Sequence, residues 1–97
     1  MEEKRGVRSL GDMRIKNIIK LFELFESIDG DIYHSILYRK SRFSYAFLTY
    51  SLHLLEKNDL IRREENGRVK LIFLTERGKK LKNLLLKAKE IMGVAYV

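Results

Sequence analysis

Two groups of side chains in this sequence have types and spacing that point to chemistry. Ser44, Tyr45, Thr49, Tyr50 and His53 recur along one proposed helix, and Arg62, Arg63, Arg68 and Lys70 crowd the segment that follows it. Hydroxyls and aromatic rings offer hydrogen bonds and flat apolar surface. Guanidinium forks and ammonium groups hold anionic oxygens. Together they suit the holding of a polyanion rather than the making or breaking of bonds. A search for catalysis supports that division. His34 and His53 sit on different predicted helices without metal-ligand spacing, and His34 reads as a boundary residue of its helix. The chain has no cysteine, which removes thiolate chemistry, disulfides and thiolate zinc sites. Its glycines are scattered and form no phosphate loop, and no Ser-His-Asp or paired-carboxylate set stands out. The sequence therefore predicts no enzyme, no cofactor and no metal.

The two groups need a helix, a stop and a hairpin to present them. Leu48, Leu52 and Leu55 recur at i, i+4 and i+7, the buried stripe of a helix capped by Ser44 and running to Asn58. Ser51 is small enough to let a neighbouring helix approach. Tyr45, Ala46, Thr49, Tyr50 and His53 fall on the opposite side, and Phe47 and Leu54 lie between the two faces. Asn58-Asp59 ends the helix. Leu60–Glu64 and Arg68–Leu74 read as two strands, with Asn66-Gly67 as a type I′ tip. Thr75 caps a last helix with Gly78 in its first turn. Its apolar positions are Leu81, Leu84, Leu85, Ala88, Ile91 and Met92.

Upstream, Asp12 caps a helix running to about Ser27. Ile15, Ile18, Ile19, Phe22 and Phe25 make one apolar stripe, and Leu21, Leu24 and Ile28 make a second beside it. Either the helix is buried deeply in its own core, or the second stripe faces another subunit. The small interior of a short chain favours the subunit reading. Asp29-Gly30-Asp31 breaks the helix, with Gly30 as a left-handed cap and Asp31 capping a short helix over 32–39. Ile32, Ile36 and Leu37 point inward there. Lys40-Ser41-Arg42-Phe43 is a turn plugged by Phe43.

The whole is an α+β, mostly α winged helix-turn-helix: a three-helix core, a two-stranded hairpin wing and a long C-terminal helix. Residues 1–12 read as a flexible arm, 13–92 as the domain and 93–97 as a tail. Charge follows this plan. Residues 1–60 carry a net charge of +1, whereas residues 61–97 carry +6. The excess thus falls on the hairpin and the last helix, where it suits a polyanionic partner. No apolar run reaches the roughly 20 residues that span a membrane, and no leader's apolar stretch is visible. These point to the cytoplasm of a prokaryotic cell, or of a host cell infected by a virus. The abundance of Lys, Arg, Glu and Ile without Pro or Cys is of a thermophilic kind.

In this architecture the third helix enters the major groove of double-stranded DNA. Ser44, Tyr45, Thr49, Tyr50 and His53 then face the bases. Lys40, Ser41 and Arg42 meet phosphate at the turn, and Arg62, Arg63, Arg68 and Lys70 hold the backbone or the minor groove from the wing. The face lacks Arg, Lys, Asn and Gln before Lys57, so the best readers of guanine and adenine are missing. An A·T-rich site recognised partly by shape fits that composition.

The segment SYAFLTYSLHLLEKNDLIRREENGRVKLIFLTERGKKL resembles the winged-helix core of MarR-like and PadR-like transcription regulators. The style is that of the small forms found in archaea and their viruses and plasmids. The resemblance rests on the Ser-initiated helix, the Leu-Glu-Lys-Asn-Asp-Leu-Ile lead into the wing, and the Leu-Thr-Glu-Arg-Gly opening of the last helix. It implies a homodimer built from the terminal helices and bound to a pseudo-palindromic site. Leu21, Leu24, Ile28, Leu84, Leu85, Ala88, Ile91 and Met92 are the residues expected at that interface. The chain is shorter than a typical MarR protein, and the resemblance assigns no effector. Two other uses of the fold stay open: a protein–protein assembly module, and an architectural protein that coats DNA without specificity.

Overall fold

The computed structural model describes residues 13–93. They form α1 (Ile15–Ser27), β1 (Ile32–Tyr33), α2 (His34–Lys40), α3 (Tyr45–Lys57), β2 (Ile61–Asn66), β3 (Val69–Leu74) and α4 (Glu76–Met92). The strands make one antiparallel sheet in the order β1-β3-β2. The fold is α+β, mostly α, as the sequence predicts, with one strand more than expected. Ile32 and Tyr33 pair with Ile72 and Leu71 instead of opening α2. Asp31 is therefore no helix cap; the cap position is Tyr33, in extended backbone, and makes no side-chain bond.

The core joins α1, α2, α3 and the roots of the wing. Ile18, Leu21, Phe22 and Phe25 of α1 meet Leu37, Leu48, Leu52, Leu54, Leu55, Leu60, Ile61 and Ile72. Phe22 and Phe25 pack edge to face with ring centres 6.3 Å apart. Burying one such aliphatic or aromatic side chain stabilises the fold by about 1.5–3 kcal/mol. Leu54, ambiguous by periodicity, belongs to this core, and Phe47 is half-buried against Phe43 at 4.9 Å. Ser51 is also fully buried, and its hydroxyl has no hydrogen-bond partner among the described residues.

On α1 the expected stripes are partly exchanged. Leu21 is fully buried in the chain's own core, while Ile15 is 47% exposed. Leu24 and Ile28 are half-buried against that same core. Leu21 thus has no surface to offer a second subunit. Asp12 lies outside the described residues. The position before α1 is Arg14, without a side-chain cap, and Gly30, at φ +89°, lies past the extended C-cap Ile28.

Backbone chemistry fixes the corner between α3, the wing and α4. Asp59 takes the left-handed conformation at φ +59°, a position usually given to glycine. Leu60 N–H donates to Leu55 C=O (2.9 Å) and Asp59 N–H to Glu56 C=O (3.0 Å), the paired bonds of a Schellman stop. The Thr75 hydroxyl donates to Asp59 C=O (2.7 Å) and accepts from Gly78 N–H (2.9 Å). It thereby caps α4 as predicted and ties that helix to the end of α3. Gly78 lies against the Leu60 backbone, and a Cβ there would sit 2.0 Å from the Leu60 carbonyl oxygen. Two ion pairs, Lys82 with Glu26 and Lys89 with Glu23, fasten α4 along α1. Part of the C-terminal positive charge is spent on this docking.

Candidate nucleic-acid interface

Ser44 starts α3 as expected, its hydroxyl accepting from Phe47 N–H at 3.1 Å. Its oxygen is engaged as a cap. Leu48, Ser51, Leu52 and Leu55 fix the inward face of α3, which dictates what points out. The exposed stripe is Ala46, Tyr50, His53 and Lys57, spaced i, i+4, i+7 and i+11. Tyr50 and His53 thus stand where the sequence predicts. Thr49 does not: its hydroxyl is buried, without a partner among the described residues. It sits at the flank of the helix rather than on the exposed stripe.

Tyr45 turns toward α2. Its ring is 5.3 Å from His34 and 5.4 Å from Tyr38, both in edge-to-face geometry. Tyr45 keeps 57% of its surface exposed and Tyr38 keeps 43%. With Tyr33, Ser35, Arg68, Val69 and Lys70 these rings line a cleft of about 370 Å³ between the two helix starts and the wing tip. His34 and Tyr38 were not among the residues singled out from sequence. They follow no local pattern; only the pairing of β1 with β3 brings them beside the wing. Burial, and then the charges of Lys70 and Arg63, hold the His34 imidazole below its usual pKa.

The wing places its cations unequally. Ile61 and Arg63 share one face of β2, opposite Leu74 and Ile72, while Arg62 shares the other with Glu64, opposite Phe73 and Leu71. Arg63 consequently turns inward and binds Glu56 of α3 through Nε (3.1 Å) and Nη2 (2.6 Å). It braces the wing against α3 rather than standing free for backbone phosphate. Arg62, Arg68 and Lys70 are exposed. The tip also differs from expectation. Asn66 pairs with Val69, so the two-residue loop is Gly67-Arg68, with Gly67 at φ +70°. Positive φ at the first loop position is the glycine site of a type II′ turn, whereas type I′ needs it at both.

At the turn between α2 and α3, the Ser41 hydroxyl accepts from Phe43 N–H (3.3 Å) and donates to Tyr38 C=O (3.2 Å). Lys40, Ser41 and Arg42 border a second cleft of about 390 Å³ with Lys20, Glu23, Leu24 and Phe43. Of the expected phosphate contacts, Lys40, Ser41 and Arg42 lie at the turn, Arg68 and Lys70 at the wing tip, and Arg62 at the wing root opposite Phe73. Among the described residues, no group of three or more His, Asp or Glu could hold a metal ion, and no helix is long and apolar enough to cross a membrane.

No family model matches the chain, and no curated protein matches it. Solved structures do. AF1382 from Archaeoglobus fulgidus is similar with a TM-score of 0.69 at 18% identity, over 84% of this chain and 88% of that one. An ArsR family transcriptional regulator is similar with a TM-score of 0.52 at 18% identity, over 89% of this chain and 86% of its own. At that identity the likeness is one of fold. The fold of this chain is the winged helix.

Proposed function

We propose that the chain is a dimeric, duplex-DNA-binding transcription regulator of the small MarR- or PadR-like type, acting in the cytoplasm. One observation supports this reading: a winged-helix fold whose α3 keeps an exposed stripe while its wing carries exposed cations. Tyr50, His53 and Lys57 enter the major groove, with Ala46 allowing close approach. Arg62, Arg68 and Lys70 of the wing and Lys40, Ser41 and Arg42 of the turn neutralise phosphates. Tyr50 and His53 read sequence weakly, so shape supplies much of the selectivity.

The test is duplex titration by fluorescence anisotropy across salt concentrations. Arg68→Ala should weaken binding to all duplexes alike and reduce the slope of log K against log salt by about 1. Arg63→Ala should instead lower thermal stability while leaving that slope in place. Absence of binding to any duplex at low salt would end the proposal. A second reading, a protein–protein assembly module, draws on Val69 and Phe73, each 42% exposed on the outer face of the wing. Unchanged DNA affinity after Arg62→Ala with Arg68→Ala favours that alternative.

A further inference from the structure

We propose that the cleft between the start of α2, Tyr45 and the wing tip binds single-stranded nucleic acid, one unpaired base stacking on the Tyr38 ring with Tyr45 at its edge while Arg68 and Lys70 hold its phosphates.

The rings of His34, Tyr38 and Tyr45 meet there, and Tyr33 lines the same cleft, beside two exposed cations of the wing. Aromatic platforms flanked by a basic groove bind single strands with little regard to sequence, because every base has a π-face. Tyr38 and Tyr45 stand at 83° to one another, and His34 also packs on Tyr45, so of the two rings Tyr38 is engaged by this one neighbouring ring. Ring surface remains on each, consistent with their exposures of 43% and 57%. An exposed tyrosine pair held in place by its neighbours is a pre-organised platform. The cleft volume of about 370 Å³ lies at the small end for ligand pockets, the scale of a single nucleotide. Bases inside a duplex are stacked on each other and cannot enter; an unpaired base can. The stripe assigned to duplex DNA, Tyr50, His53 and Lys57, lies on a different face of α3 from Tyr45. Tyr38 belongs to neither that stripe nor the wing.

The test compares a fluorescein-labelled oligothymidine of about a dozen nucleotides, an oligouridine of equal length and a duplex, all titrated with the full chain. Saturable binding of a single strand is expected. Tyr38→Ala should weaken it about five- to hundred-fold, the size that base–aromatic stacking carries. Tyr38→Phe, which keeps the ring, should retain it, and Arg68→Glu should weaken it whether or not Tyr38→Ala folds well. Binding of only the deoxy or only the ribo strand supports the site and names its source. Duplex affinity should be unmoved by Tyr38→Ala, which keeps failure here distinct from failure of the regulator reading. The proposal is overturned if neither single strand binds, if Tyr38→Ala binds as tightly as the parent chain, or if Tyr38→Ala weakens duplex and single strand equally.

Discussion

Arg63 and Arg62 are neighbours in sequence with opposite tasks, because successive side chains of a strand point to opposite faces. The pattern was available beforehand: an inward Ile61 dictates an inward Arg63, and a carboxylate one α3 turn before the stop, Glu56, could receive it. His34 is the other residue whose role emerges only in three dimensions. Its pKa is lowered from 6.5 by burial, then by Lys70 and Arg63. The unfolded chain therefore takes up this proton at a higher pH than the folded chain does. The contribution to stability is fully present above 6.5 and is lost as pH falls from 6.5 through the lowered folded value. Denaturant midpoints measured from neutral to mildly acidic pH should fall more steeply for the parent chain than for His34→Gln. Parallel curves would contradict the assignment; His53, common to both, cancels.

The elements themselves were largely legible. A serine cap and a leucine stripe defined α3 to within a residue at each end, and Thr75 was recognised as the cap of α4. β1 escaped because two residues cannot display an alternation. Its existence depends on β3 offering an open edge. The wing turn slipped by one residue because Asn-Gly fits a type I′ loop so well locally, while strand register is settled by which side chains must face the core. Gly78, in the Leu-Thr-Glu-Arg-Gly opening of α4, has a physical reason to be glycine. Any Cβ there meets backbone of Leu60 at 2.0 Å, and backbone cannot swing aside as a side chain can. Gly78→Ala should therefore destabilise the fold by more than about 3 kcal/mol, beyond the usual cost of overpacking. Thermal melts would check this; a melting temperature within a few degrees of the parent would show that α4 can shift outward.

At the scale of the whole molecule, α4 offers the surface that α1 does not. Leu84 is 68% exposed, Ile91 74% and Met92 49%, whereas Leu85 is half-buried against the chain's own core. Leu84, Ala88 and Ile91 follow at spacings of four and three, the seam of a helix pair, while Leu81 packs on the chain's own core as Leu85 does. For the proposed dimer, Leu84→Glu with Ile91→Glu should give a monomer of nearly unchanged stability and much weaker duplex binding. Sedimentation velocity decides it; a monomeric parent chain at micromolar concentration would remove the dimer altogether. The α4 stripe was legible in local periodicity, whereas the aromatic cleft was not, because it depends on contacts between segments distant in the chain. The shared Thr75 hydroxyl gives this arrangement a mechanical character. α4, about 25 Å long at 1.5 Å per residue, acts as a lever whose pivot is stitched to the last turn of α3. With Gly78 seated on the Leu60 backbone, a tilt of α4 would have to break the Lys82–Glu26 and Lys89–Glu23 pairs to α1 and pull on α3 through Thr75.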